Sequence, residues 1–141
     1  MASKFSAFMA QNVEKIENKK IVVSNRFKDE NGNPIEWEVR AITEDENEDL
    51  QRRAFVNIPV TGQRGAFTRE LDQVKYTGMM LAASVVYPDL NDADLQDSYG
   101  VKTPEALLKK MLIPAEMGTL AEAVASFNRR GEGELVAEAK N

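Results

Sequence analysis

The sequence contains no cysteine and no histidine. Without cysteine there is no disulfide, thiolate nucleophile, iron–sulfur cluster or cysteine-based zinc site. Without histidine the commonest general base is missing, and with it the Ser-His-Asp triad and imidazole metal ligation. Basic charge is also scarce: 18 Lys and Arg against 23 Asp and Glu leave a net charge of −5. The pairs Lys19-Lys20, Arg52-Arg53, Lys109-Lys110 and Arg129-Arg130 are isolated among acidic or apolar residues. No basic patch therefore offsets the repulsion of a nucleic acid backbone. No apolar run approaches the ~18 residues of a membrane span, and Met1-Ala2-Ser3-Lys4-Phe5 lacks the apolar core of a signal peptide. The expectation is a soluble cytosolic protein with no cofactor, bound to neither nucleic acid nor membrane.

What is present is a chain of 141 residues, 43% of them hydrophobic, enough for one domain with a real core. Ser3 can cap a short helix with Phe5, Phe8 and Met9 on one face, ended by Asn12 and expected to dock on the core. A hairpin follows. Ile21, Val23 and Phe27 alternate with polar residues, as do Ile35, Trp37 and Val39, and Asp29 to Pro34 supplies the reversal. Trp37 is the single tryptophan and a candidate core anchor. Thr43 and Glu46 form a capping box, with acidic residues in the first turns and Arg52 and Arg53 at the far end, an order that suits the helix dipole.

That helix runs out near Phe55. The stretch from Val56 to Phe67 alternates weakly and holds Pro59, Gly62 and Gly65, so it reads as a loop or an edge hairpin. Ile58, Val60 and Phe67 on such an arm either form a candidate interaction surface or fold back onto the domain, and the sequence leaves both open. The C-terminal half reads as helical. Leu71, Val74, Gly78, Leu81, Ala82 and Val85 follow helical spacing up to Pro88, and close packing by another backbone is a reason for Gly78 mid-helix. Asn91 caps a short turn that stops at Gly100, and Thr103-Pro104 opens a helix with Leu107, Leu108, Met111 and Leu112, broken by Pro114. A last helix places Met117, Leu120, Val124 and Phe127 on one stripe, each worth ~1.5–3 kcal/mol if fully buried. Gly131 ends it. The fold class is α+β: a small antiparallel hairpin or sheet in the N-terminal half, packed on a mainly helical C-terminal half. Residues 1–131 form the single domain and 132–141 a flexible tail.

Chemical motifs fail one by one. Asp89 to Asp94 begins like a calcium loop but has Ala93 fifth, Asp94 sixth and Gly100 twelfth; Asp29 to Pro34 fails likewise, with Arg40 twelfth. Gly62-Gln63-Arg64-Gly65 lacks the Gly-Lys-Ser/Thr ending of a phosphate loop. Glu36 and Glu38 lie opposite the apolar row, in water, with no sign of the cleft that paired-carboxylate catalysis needs. No enzymatic activity, metal site or cofactor is expected.

Particular strings carry a resemblance. Phe8-Met9-Ala10-Gln11-Asn12-Val13, Arg26-Phe27-Lys28-Asp29, Ile35 to Thr43, Tyr87 to Val101, and Leu107 to Leu112 resemble the XkdN-like tail assembly chaperones of phages and defective prophages. The resemblance spans residues 5 to 127, and the stretch from Asp89-Leu90 to Leu95-Gln96-Asp97-Ser98-Tyr99-Gly100 is its most specific part. It implies a non-enzymatic protein of the host bacterial cytoplasm. Such a protein binds the apolar tape measure protein and keeps it soluble until tail tube subunits polymerise around it. Implied partners are the tape measure protein, the tail tube protein and a frameshift-extended form of the chain, which Ala139-Lys140-Asn141 would permit if encoded by a slippery A-AAA-AAC. A homo-oligomer stays open. The alternative is a structural tail tube or baseplate-associated protein retained in the particle. On the chaperone reading, Phe5, Phe8, Met9, Ile58, Val60 and Phe67 are the candidate contacts for helical tape measure segments, on a body kept soluble by its charge.

Overall fold

Local signals that need only neighbouring residues set most of the helix ends. The computed structural model of the chain describes residues 4–128. Thr43 accepts from the Glu46 N–H while the Glu46 carboxylate accepts from the Thr43 N–H, closing the expected capping box of α1 (Glu44–Arg53). Thr103 accepts from Ala106 N–H, with Pro104 at the first helical position of α4 (Pro104–Met111). Helix α2 (Gln73–Ser84) is capped by Asp72, and α3 (Ala93–Ser98) by Asp92 rather than Asn91, because the Asp92 carboxylate accepts from Leu95 N–H. Pro114 ends the preceding segment and opens α5 (Pro114–Asn128).

The strands are β1 (Lys19–Ile21), β2 (Trp37–Val39), β3 (Phe55–Pro59), β4 (Phe67–Leu71) and β5 (Val85–Tyr87). They form an antiparallel three-stranded sheet, β1-β2-β5, and a separate antiparallel pair, β3-β4. The fold is α+β, as expected. The expected N-terminal hairpin is shorter, because Ile21 pairs with Trp37 while the chain between them leaves the sheet. That excursion carries its own tight reversal, with Lys28 bridged to Pro34 and the Asp29 carboxylate accepting from the Asn31 and Asn33 N–H groups. β5 departs from the expected course of α2. Val85 continues the helical spacing, but the helix stops at Ser84 and the next residues pair with β2, Val85 opposite Val39 and Tyr87 opposite Glu38. Without β5 the sheet would be a two-stranded ribbon, marginal by itself.

The main core lies between this sheet and the C-terminal helices. Trp37, Val39, Leu81, Leu107, Leu108, Leu120 and Val124 are its buried centre, with Phe27, Met117 and Phe127 packed around them. The stripe expected on the last helix thus faces inward. Ser84, buried among apolar groups, donates to the Met80 carbonyl at 2.9 Å, so its burial leaves no polar atom unpaired. Gly78 is not approached by another backbone. A Cβ there would meet the Lys109 side chain, with Cε at 3.1 Å. Val74, on the same expected stripe, is 72% exposed. A second, smaller cluster of Leu50, Ala54 and Met79 joins α1 to α2, with Ile42, Leu71 and Tyr76 around it.

Two ion pairs tie elements together, one between neighbours in the chain and one between distant segments. Arg40 at the end of β2 grips Glu46 of α1, Nη1 to Oε1 at 3.0 Å and Nη2 to Oε2 at 2.6 Å. Glu116, third residue of α5, accepts from Ile113 N–H at 3.0 Å and from Arg26 Nε at 2.9 Å, and also from Ser24 Oγ. Arg26 reaches on to the Met111 carbonyl at 2.8 Å. This pins the loop after β1 against the start of α5. Arg40 chiefly, then the Thr43 N–H, holds the Glu46 carboxyl down at about 2; Arg26 chiefly, then Ser24 and the Ile113 N–H, does the same for Glu116.

Candidate partner-binding surface

The six residues singled out as candidate contacts lie on two segments. Phe5, Phe8 and Met9 belong to an N-terminal segment expected as a docked helix. It forms instead a single 3-10 turn, Ser6–Phe8, with no buried residue. Phe5 is 66% and Phe8 80% exposed, their ring centroids 6.4 Å apart. Asn12 folds the segment back on itself by donating to the Ser6 carbonyl at 2.9 Å. The turn is closed by short-range bonds of this kind, which explains why it has a shape without docking on the core. Val13 and Ile16, not singled out from the sequence, are also exposed and extend the apolar surface. The Ser3 cap lies outside the described residues, as do Gly131 and the expected tail 132–141.

Ile58, Val60 and Phe67 lie on the β3-β4 hairpin, which resolves the open choice between loop and edge hairpin. Its base is fixed: Asp72 N–H donates to the Ala54 carbonyl at 2.9 Å, and Ala54 is wholly buried in the smaller cluster. Below it, Tyr76 Oη donates to Asn47 Oδ1, locking α1 to α2. Beyond Ala54 the strands are exposed on both faces, apart from the half-buried Val56 and Leu71. The tip is made of two successive turns, Gln63 N–H to Val60 O and Ala66 N–H to Gln63 O, with Gly62 (φ 81°) and Gly65 (φ 77°) each at the third position. A type II turn requires positive φ there, and glycine adopts it without steric cost.

The register separates the three candidates. Phe55 faces Leu71, Asn57 faces Arg69 and Pro59 faces Phe67, while Val56 faces Glu70 and Ile58 faces Thr68. Directly opposed side chains share a face and successive ones alternate. Phe67 therefore stands on one face with Phe55, Pro59 and Arg69; Ile58 and Val60 stand on the other. Phe67 is 62% exposed, and the Arg69 guanidinium lies 5.3 Å from the Phe55 ring centroid. Phe55 and Arg69 were missed in the sequence, where Phe55 looked like the last residue of a helix. The hairpin also differs in charge from the body: Arg64 and Arg69 outnumber Glu70 in a chain of net −5, and neither arginine has an ion pair among the described residues.

Among the described residues no group of three acidic side chains is placed to hold a metal, and no helix is long and apolar enough to cross a membrane. The carboxyls held near 2 belong to the two structural ion pairs, away from the hairpin. What the molecule presents is a packed core with two segments of exposed apolar side chains, a candidate binding surface.

The comparisons with known proteins give the chain a family. The model of the phage XkdN-like tail assembly chaperone proteins matches residues 5–140, and the chain belongs to that family. The phage-like element PBSX protein XkdN of Bacillus subtilis (strain 168) is 28% identical over 109 residues, covering 76% of this chain and 71% of the relative. The uncharacterized protein YqbN of the same organism is 27% identical over 107 residues, 76% of this chain and 70% of the relative. A crystal structure of the protein YqbN aligns with a TM-score of 0.74 at 22% identity, over 91% of this chain and 98% of that one, which establishes the shared fold. The chaperone family implies a non-enzymatic role.

Proposed function

We propose that this tail assembly chaperone binds the tape measure protein and keeps it soluble until the tail tube polymerises, by reversible apolar contact and without catalysis. The observation that carries the reading is the clustering of exposed apolar residues on two segments, Phe5, Phe8, Val13 and Ile16 on one and Phe55, Ile58 and Phe67 on the other. Apolar side chains held out in this way cost a soluble protein some risk of self-association, and contiguous apolar surface usually marks a contact. The net charge of −5 opposes that self-association between free copies. Members of the XkdN-like family take part in tail assembly by their description, and the tape measure protein is the tail component long and apolar enough to need a holder.

Co-expression of the chain with the tape measure protein of the same phage tests this. The native chain should move the tape measure protein from the insoluble to the soluble fraction. Replacing Ile58, Val60 and Phe67 together by Lys should abolish most of that effect, and Phe5→Asp with Phe8→Asp should reduce it. Undiminished solubilisation by the charged hairpin variant would exclude the hairpin as the contact.

A further inference from the structure

The two long edges of the β3-β4 hairpin are not equivalent. Val60 N–H bonds to Ala66 O and Asp72 N–H to Ala54 O, and antiparallel pairs alternate between bonded and non-bonded. With the observed register, the bonded pairs are therefore 54 with 72, 56 with 70, 58 with 68 and 60 with 66. The backbone groups of Phe55, Asn57 and Pro59 point outward on the β3 side, and those of Phe67, Arg69 and Leu71 outward on the β4 side. Pro59 has no N–H to offer, so the β3 edge is blocked for a further strand, a common way of protecting an edge. The β4 edge has no such block. Among the described residues, the amides and carbonyls of Phe67, Arg69 and Leu71 have no hydrogen-bond partner outside the hairpin.

We infer that the β4 edge is a strand-addition site that accepts an extended segment of a partner protein, with an acidic residue opposite Arg69 and apolar residues opposite Phe67 and Leu71. The inference rests on the hairpin being a contact surface, and it makes the captured segment extended where the sequence suggested a helix. Main-chain bonds to an open edge supply sequence-tolerant affinity, and alternate side chains supply the selection. The selection here is by charge. Among the described residues Arg69 is held over Phe55 with no carboxylate partner, and Arg64 adds positive charge at the tip, so an acidic centre fits and a basic one does not. The same charge disfavours a second copy. Two antiparallel β4 strands using all three outward positions would set Arg69 directly against Arg69, and like charges so placed destabilise a pair.

The test titrates 15N-labelled full-length protein with the blocked peptide Thr-Val-Thr-Glu-Thr-Val-Thr, followed by amide NMR and hydrogen exchange. The Phe67, Arg69 and Leu71 amides should shift saturably and exchange more slowly, while Val56 and Ile58 amides change little. A peptide with Lys in place of the central Glu should bind roughly threefold to tenfold more weakly, and one N-methylated at that residue should not bind. Arg69→Pro should abolish binding, whereas Asn57→Pro, which caps the already blocked edge, should leave it intact. Arg69→Glu keeps the backbone donor and should reverse the preference to the Lys peptide. Shifts centred on β3 or outside the hairpin, or equal binding by Arg69→Pro, would overturn the inference. So would a concentration-dependent dimer, seen by sedimentation, that Arg69→Pro abolishes. The titration uses no tape measure protein, so its failure and a failed co-expression test are read separately.

Discussion

The helical body and the β3-β4 hairpin obey opposite rules within one chain. In the body, the centre of the core is fully buried: Leu107, Leu108, Leu120 and Val39 have no exposed surface, and Trp37 has almost none. In the hairpin, Phe67 and Ile58 point outward and no strand residue is buried. Both regions use apolar side chains at regular spacing. The difference is whether a second layer covers them. Sheet β1-β2-β5 is covered by helices, whereas the hairpin is held only at its base, through Ala54, Asp72 and the smaller cluster. On the proposed reading this division is useful, because a surface that binds has to be free of the interactions that fold the protein.

Substitutions can break or sharpen the contrast. The largest effect belongs to the core. Leu120→Ala or Leu108→Ala should cost about 2–5 kcal/mol in urea unfolding, since each leaves a cavity among well-packed neighbours. A cost below about 1 kcal/mol would show that the body is looser than its burial indicates. Next comes the α1 cap: Thr43→Ala should cost about 1 kcal/mol by the same measurement, with α1 and the hairpin base loosening together in hydrogen exchange.

Acid should act on the body and spare the hairpin. Glu46 and Glu116 are held at about 2 against an ordinary 4.5. Their folded forms bind protons less readily than their unfolded forms, so the ion pairs contribute fully above about pH 4.5. That contribution falls away as the pH drops toward 2. The urea midpoint should therefore decline across this window, and Glu116→Gln or Glu46→Gln should flatten the decline. The Arg26 and Arg40 side chains are 52% and 34% exposed, so solvent screens both pairs and the effect should be smaller than a core truncation. Gly78→Ala should stabilise α2 by up to ~1 kcal/mol, because only the end of the Lys109 side chain has to move. The smallest effects belong to the hairpin. Phe67→Ser and Ile58→Ser should change stability by no more than about 0.5 kcal/mol while weakening partner capture. A hairpin variant that unfolds the protein would end the separation of the two regions.

The sequence was most legible where the physics is local. The Thr43–Glu46 box, Thr103-Pro104 and the Leu120–Val124 stripe were all readable, because each needs only residues within a turn or two. β5 was not readable, since Val85 fits both the helical spacing of α2 and a strand. Pairing with Val39, distant in sequence, decided between them. The N-terminal helix failed for a related reason: Phe5, Phe8 and Met9 have the right spacing, but helical stability in short segments comes from tertiary packing, and the Ser6–Phe8 turn buries no residue.

The candidate surface divides along the same line. The Phe5–Met9 and Ile58–Phe67 segments were identifiable as apolar residues beside turn formers. The register, which sets Phe67 with Phe55 and Arg69 and puts Ile58 and Val60 behind them, was not, because a one-residue slip exchanges the faces.

By itself, then, the sequence determined which cysteine and histidine chemistries are missing, the caps of α1 and α4 and the α+β class, all consequences of composition or of neighbouring residues. Only the tertiary structure decided which apolar residues are covered, which strand edge is open and where α2 gives way to β5. Those outcomes depend on contacts between segments far apart in the chain, and their energies do not exist until the segments meet.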